Sequence, residues 1–314
     1  MNRIAVCVGI ICIAVAPLAG RAMTLDEAIA LIPDDGDVAV YYDDAGRAAV
    51  EAAIGMLEQA VGVTAAFNPL REDDYNALPI PAEEKSLVSK LSQAYYTLGD
   101  VFLHNQSDQQ KAIFDRGQFW GLKSLRMNPT FAQIETSGNK FVDAVAQETD
   151  VAALYWTYAN WARKDEFDVL GAVFRNDPPK LEALIMRALE LEPSYISYGA
   201  YRSLAGFWGS LPPMPFGTYR QDLPKTLSYL CPVLTEPTYC SECAACPFNP
   251  DCNLYYENRV VFAQYYLMEK SQWAEAARVL QSVLDEPVGE LHALYNAFDQ
   301  VLARELLADV QKHL

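Results

Sequence analysis

Histidine is nearly absent: His104, His292 and His313 are the three in 314 residues. That scarcity argues against a multi-histidine metal centre and against a histidine proton shuttle. Basic residues are also short, with 24 Lys+Arg against 41 Asp+Glu, and the resulting net charge of −17 repels phosphate backbones and anionic headgroups. Nucleic acid is a poor partner for such a chain. The signatures G-x-S-x-G, H-E-x-x-H, Walker A and G-x-G-x-x-G are all missing. The chain therefore reads as non-enzymatic, with no cofactor and no metal expected. Runs of about 18 uninterrupted apolar residues, long enough to cross a bilayer as a helix, do not occur, and alternation of period two is hardly found. What the chain does have is bulk for a core: 51% hydrophobic residues, with 18 Tyr, 13 Phe and 5 Trp.

Residues 1–22 carry Arg3, an apolar run from Ile4 to Leu18, and the small residues Ala19, Gly20 and Ala22. This is the pattern of a secretory signal peptide, with an uncleaved anchor as the alternative. Cleavage after Ala22 removes Arg3 and Arg21 with no acid, so 22 basic residues face 41 acids and the charge becomes −19. Cys7 and Cys12 leave with the leader. They follow Val6 and Ile11 inside the apolar run, whereas a lipidation cysteine would stand after a small residue at its end. The expectation is a free periplasmic protein with no membrane span after cleavage.

Helical periodicity dominates after about residue 43. Leu87, Leu91, Tyr95, Leu98 and Phe102 form one stripe, at spacings that keep them on one helix face. Trp273, Ala276, Ala277, Leu280, Val283 and Leu284 form a second; Leu291, Leu294, Tyr295, Phe298, Val301 and Leu302 form a third. Between helical runs stand Asn128-Pro129, Asp177-Pro178-Pro179, Glu192-Pro193, Leu211-Pro212-Pro213 and Glu286-Pro287. Proline lacks the amide donor and disfavours helix at the residue before it, so each marks a break. Short breaks imply antiparallel helix pairs, and weak repeats recur across them. Tyr95, Leu98, Gly99 and Phe102 have the spacing of the first helix of a tetratricopeptide repeat; Gly117, Gly121, Ser124 and Pro129 have the small-residue spacing of its second. Ile185, Ala188, Leu191 and Pro193 repeat the second-helix ending, and Tyr201, Leu204, Ala205 and Trp208 the first-helix pattern. The predicted fold is all-α, an array of antiparallel helix pairs with degenerate tetratricopeptide-like (TPR-like) repeats in an α-α superhelix. A plain helical bundle is the alternative. The expected division is a leader at 1–22, a partly helical segment at 23–84, and a TPR-like repeat domain at 85–314.

Over roughly residues 85–314 the chain resembles the T-component proteins of TRAP (tripartite ATP-independent periplasmic) transporters. The likeness rests on the phrases Gly117 to Leu125 (GQFWGLKSL), Asp150 to Trp161 (DVAALYWTYANW), Arg187 to Pro193 (RALELEP) and Gly199 to Trp208 (GAYRSLAGFW) running into Pro212. Arg259 to Tyr266 and Asn296 to Leu307 extend it. The resemblance implies a periplasmic helical accessory protein, able to form a homotrimer, with an apolar channel through each protomer. It also implies affinity for the periplasmic solute-binding protein of a TRAP transporter. Three features depart from the family pattern: some relatives are lipoproteins, residues 23–84 have no counterpart, and the cysteine-rich segment 231–252 reads as an insertion.

That segment holds Cys231, Cys240, Cys243, Cys246 and Cys252. Thiolates at such spacing ligate zinc or an iron–sulfur cluster in reducing compartments, but a chain exported unfolded meets an oxidising one. Disulfides are the expectation, with one cysteine of the five left over and the connectivity undetermined. A redox or hydrolytic role for these thiols is disfavoured by the neighbouring Glu242 and Asp251, which oppose a low thiol pKa. The acidic runs Asp34-Asp35-Gly36-Asp37 and Asp43-Asp44 lack EF-hand spacing and read as solvated turns.

Aromatic residues at helical spacing usually pack a core. In a repeat array some instead line a ligand surface between helix layers. Leu211 to Gly217 carries three prolines within four residues and cannot continue a helix. It is expected to hold the preceding helix apart from the next, leaving Phe207, Trp208 and Met214 around one mouth of the implied channel, with Trp156 and Tyr201 deeper. These five residues are the candidate ligand contacts. Arg202, inside the same apolar helix, reads as a buried ion-pair partner for a carboxylate such as Glu182 or Glu190, or else as a ligand contact. Two functions follow: an accessory protein that binds a solute-binding protein and an apolar small molecule, or a ligand-free TPR-like envelope scaffold.

Overall fold

The computed structural model describes residues 22–64, 67–138, 140–213, 218–234 and 254–314. Among the described residues there are fifteen α-helices and no strand: α1 Leu25–Leu31, α2 Asp44–Ala60, α3 Glu72–Ala77, α4 Lys85–Thr97, α5 Ser107–Arg126, α6 Pro129–Thr136, α7 Phe141–Val145, α8 Val151–Glu166, α9 Val169–Phe174, α10 Pro178–Leu191, α11 Tyr195–Ser210, α12 Leu223–Leu230, α13 Glu257–Phe262, α14 Trp273–Asp285 and α15 Ala293–Val310. The all-α expectation holds. Neighbours in sequence pack as pairs, α1 on α2, α4 on α5, α10 on α11, α14 on α15, while α8 lies against both α5 and α10.

The breakers act where their chemistry requires. Pro129 and Pro178 open α6 and α10, where a missing amide costs nothing. Asn128 caps α6, its Oδ1 accepting from Thr130 N at 3.0 Å. The stripe from Leu87 to Phe102 runs down α4 and continues through a π turn at Leu98–Phe102. The second stripe is α14, which starts at Trp273. The third is α15, although Leu291 precedes that helix and is exposed. Helix α1 lies ahead of the run in which periodicity is evident. Its signal is the capping box Thr24–Glu27, in which Thr24 N donates to the Glu27 carboxylate at 2.8 Å.

Small residues set the α5–α8 distance. A Cβ on Gly121 would sit 2.8 Å from the Thr157 Cα, and one on Gly117 would overlap the Asn160 amide. The approach is closed by a polar clasp, since Asn160 Nδ2 donates to Ser92 O on α4 at 2.9 Å and Ser92 Oγ donates to Gly117 O at 2.8 Å. One apolar cluster joins α1, α2 and α3 to α4 and α15, a second fills α12 to α15, and a third spans α6, α7, α8, α10 and α11. The segment 23–84 thus shares a core with the repeat helices, and Lys90 of α4 is buried against it, donating to Ile32 O at 2.7 Å and pairing with Asp34. Asp43 caps α2 through Gly46 N at 2.7 Å, so that part of the acidic sequence builds a helix start.

Candidate ligand cavity

An outer cavity of about 330 Å³ opens between α8, α9, α11 and α13. Its walls are apolar where Val169, Val173, Leu181, Phe207, Leu211, Pro212 and Val261 contribute, and polar where Arg163, Glu166, Arg202 and Glu257 do. A smaller inner chamber of about 20 Å³ adjoins it, sharing Tyr96, Tyr155, Arg163, Glu257 and Leu302, and adding Asp100, Trp156, Ile196, Tyr255, Tyr295 and Asp299.

The candidate contacts separate on this geometry. Phe207 lines the outer cavity beside Leu211 and Pro212, the first residues of the proline-rich segment. Trp156 lines the inner chamber and donates from Nε1 to the Tyr195 hydroxyl at 3.2 Å. Tyr201 packs against the second apolar cluster and lines neither space. Trp208 is buried in the third cluster, stacked on Tyr219 at 5.8 Å with the Lys225 ammonium 3.5 Å from its ring centroid, and also lines neither. Met214 lies outside the described residues, as do Cys240, Cys243, Cys246 and Cys252; Cys231 is buried after α12.

Arg202 is a buried ion-pair partner, but of Glu257, at 2.8 Å. The named alternatives are engaged elsewhere, Glu190 by Arg187 and Glu182 by Lys225. Glu257 lies 55 residues from Arg202 in sequence, which is why no local spacing pointed to it. The same guanidinium donates to Asn258 Oδ1 at 3.1 Å, to Ile196 O at 2.9 Å and to Ser197 O at 2.5 Å, and its Cζ lies 4.1 Å from the Tyr255 ring centre. Those two carbonyls belong to an unusual turn. Ile196, Ser197 and Tyr198 all have positive φ, so α11 begins with a left-handed turn before its right-handed body. For non-glycine residues this costs roughly 1–2 kcal/mol each. Arg202 holds the turn from inside, and Gly36, itself at positive φ, packs so tightly on Ile196 that a Cβ would lie 2.6 Å from Ile196 Cδ1.

A second arginine organises the other wall. Arg163 Nε pairs with Asp100 at 2.9 Å and its Nη1 with Glu166 at 3.2 Å. Burial pushes the Glu166 carboxyl up, with Arg163 pulling against it. Asp299 is the group left over. It is 3% exposed, and its Oδ2 has no hydrogen-bond partner. Burial, reinforced by repulsion from Glu257 and opposed by Arg202, pushes its carboxyl well above its ordinary value. Near the outer rim, burial also pushes Asp165 up to about 6, despite an ion pair with Arg175 at 2.9 Å.

Apolar surface continues outward from this cavity along α9. Val169 and Val173 line the cavity and are half exposed, while Leu170 and Phe174 beside them are 63% and 88% exposed. The apolar pocket thus runs into an exposed apolar edge. Residues 81–221 match the TRAP transporter T-component family. The match begins just before α4 and ends after α11, so it takes in the Gly117, Asp150, Arg187 and Gly199 phrases. It covers α8, α9 and α11 of the cavity wall, whereas Glu257, Val260, Val261 and Leu302 lie beyond it. No curated protein matches the chain. Among the described residues no helix is long and apolar enough to cross a membrane, and no group of three or more His, Cys, Asp and Glu is placed to hold a metal ion.

Proposed function

We propose that the protein is a periplasmic accessory component of a TRAP transporter that binds the solute-binding protein and holds an apolar small molecule in the outer cavity. The observation that carries this is the continuity of the cavity with the α9 edge. Val169 and Val173 belong to both, so a partner seated on Leu170 and Phe174 would cover the mouth and exchange ligand through it. The family match over residues 81–221 supports the transporter setting. The leader at 1–22 supports export. A binding role fits the titratable groups of the cavity, whose arginines pair with carboxylates rather than presenting a nucleophile beside a base. Export also favours disulfides over a metal among the five cysteines after residue 22. The homotrimer is implied by the resemblance alone.

Native mass spectrometry of protein purified from its own periplasm tests these together, reporting oligomer mass and co-purifying ligand. A solute-binding protein should be retained by the unaltered chain and lost on Leu170→Asp with Phe174→Asp. Retention of that partner by the double variant would sink the docking edge. A monomer of leaderless mass with neither ligand nor partner would sink the whole reading in favour of a ligand-free scaffold.

A further inference from the structure

The inner chamber has the wrong charge balance for a purely apolar ligand. Asp100, Asp165, Glu166, Glu257 and Asp299 face it or the adjoining cavity, against Arg163 and Arg202, with Asp165 paired to Arg175 at the rim. Arg163 is taken by Asp100 and Glu166, and Arg202 by Glu257. That leaves the Asp299 carboxyl, almost wholly buried, with Oδ2 unpartnered in the wall. Buried polar atoms are rarely left so without a reason. An anion is disfavoured, because both guanidiniums are already engaged and the surplus charge is negative. A chelated metal is disfavoured by the absence, among the described residues, of a ligating cluster.

We propose that the inner chamber receives the ammonium head of a primary alkylamine whose chain lies in the outer cavity, the head donating to the Asp299 carboxyl. Size decides between kinds of cation. About 20 Å³ accommodates a group as small as a water molecule or an –NH₃⁺, and not a trimethylammonium. Tyrosine rings suit the same guest, since Tyr96, Tyr155 and Tyr295 border the chamber and aromatic rings attract a cation. The alkyl chain then meets Leu302 and the aliphatic wall of the outer cavity. This assignment rests on the reading of that cavity as an apolar ligand site and specifies its ligand.

Proton balance follows. Burial makes the Asp299 carboxyl hold a proton more tightly than an ordinary carboxyl does, and the groups facing it are Asp100, Arg163, Arg202, Tyr255 and Glu257 from the packed elements and Tyr295 from its own helix. Binding an ammonium converts the carboxyl to a carboxylate and releases that proton to solvent. Affinity should therefore rise as pH rises through the range in which the Asp299 carboxyl titrates, below that in which an alkylamine loses its own charge.

Calorimetric titration of the leaderless chain with octylammonium, 1-octanol, octanoate and octyltrimethylammonium tests the assignment. Octylammonium is expected to bind at least about tenfold more tightly than octanol, with octanoate and the trimethyl compound weaker still. Asp299→Asn, nearly isosteric, should abolish the preference for octylammonium over octanol, with an unchanged melting temperature showing that the fold is kept. Equal binding of octanol and octylammonium to the unaltered chain would overturn the headgroup assignment and leave the apolar cavity standing. Binding of neither would overturn both, and would leave a buried water as the partner of Asp299.

Discussion

Replacing Gly121 with alanine isolates the contact that positions α8, and with it the cavity wall. The substitution adds one methyl. In a helix interior that methyl alone is favourable by about 0.8–1.0 kcal/mol, because glycine loses more backbone entropy on folding. Here it would meet the Thr157 Oγ1 and, at 2.8 Å, the Thr157 Cα. The second contact is decisive, since a backbone atom cannot rotate away as a side-chain end can. Helices α5 and α8 must separate, which strains the Asn160 clasp to Ser92, and overpacking of this kind costs typically about 1–3 kcal/mol. The net expectation is a loss of up to about 2 kcal/mol. Gly55 is the matched control, an exposed glycine inside α2 whose Cβ would meet nothing within 4 Å, so Gly55→Ala should gain about 0.5–1 kcal/mol. Urea unfolding followed by far-ultraviolet circular dichroism reads both midpoints, with an unchanged slope showing that the unfolded state is the same. A Gly121→Ala protein as stable as the parent, or more so, would refute the close-approach argument. Because Tyr155, Tyr158 and Arg163 on α8 line the cavity, the same variant should also weaken octanol binding.

Arg202→Met keeps much of the side-chain volume but strands Glu257 and the Ile196 and Ser197 carbonyls, so a loss of about 3–5 kcal/mol is expected in urea unfolding; a loss below 1 kcal/mol would show that Arg202 does not hold the left-handed turn. The Asp165 carboxyl gives a pH signature: raised to about 6 by burial from an ordinary value near 3.8, it binds its proton more tightly folded than unfolded. Its contribution to stability is therefore present at pH 4, falls as pH rises towards 6 and stays lost above, so Asp165→Asn should gain on the parent between pH 4 and 7; parallel curves would refute this. Thiol counting in denaturant on exported protein should find fewer than five free cysteines after the leader, and five free thiols with stoichiometric zinc or iron would establish a metal centre instead.

Local chemistry was enough to place several helix ends. Asn128-Pro129 opens α6 because an asparagine side chain and a ring nitrogen suit a helix start wherever they occur in a chain. The stripes of α4 and α14, and the glycine spacing of α5, were legible for the same reason: periodicity declares which face is buried, and small residues declare that something comes close. Neither declares what lies opposite. Trp156 and Trp208 both stand in aromatic-rich apolar runs, yet only Trp156 borders the inner chamber, while Trp208 is closed off by Tyr219 and Lys225. Arg202 shows the limit most plainly. A buried arginine predicts a carboxylate partner because an unpaired charge is too costly to bury, but the partner, Glu257, arrives from another helix across the cysteine-rich segment. The left-handed turn at Ile196–Tyr198 had no local signal, since nothing in Ile-Ser-Tyr favours positive φ; it exists because Arg202 binds its carbonyls and Gly36 packs on Ile196. The sequence alone thus determined the helices and their buried faces, properties of neighbouring residues. Tertiary structure decided which faces meet, and so where the cavity lies and which carboxyl is left unpaired within it.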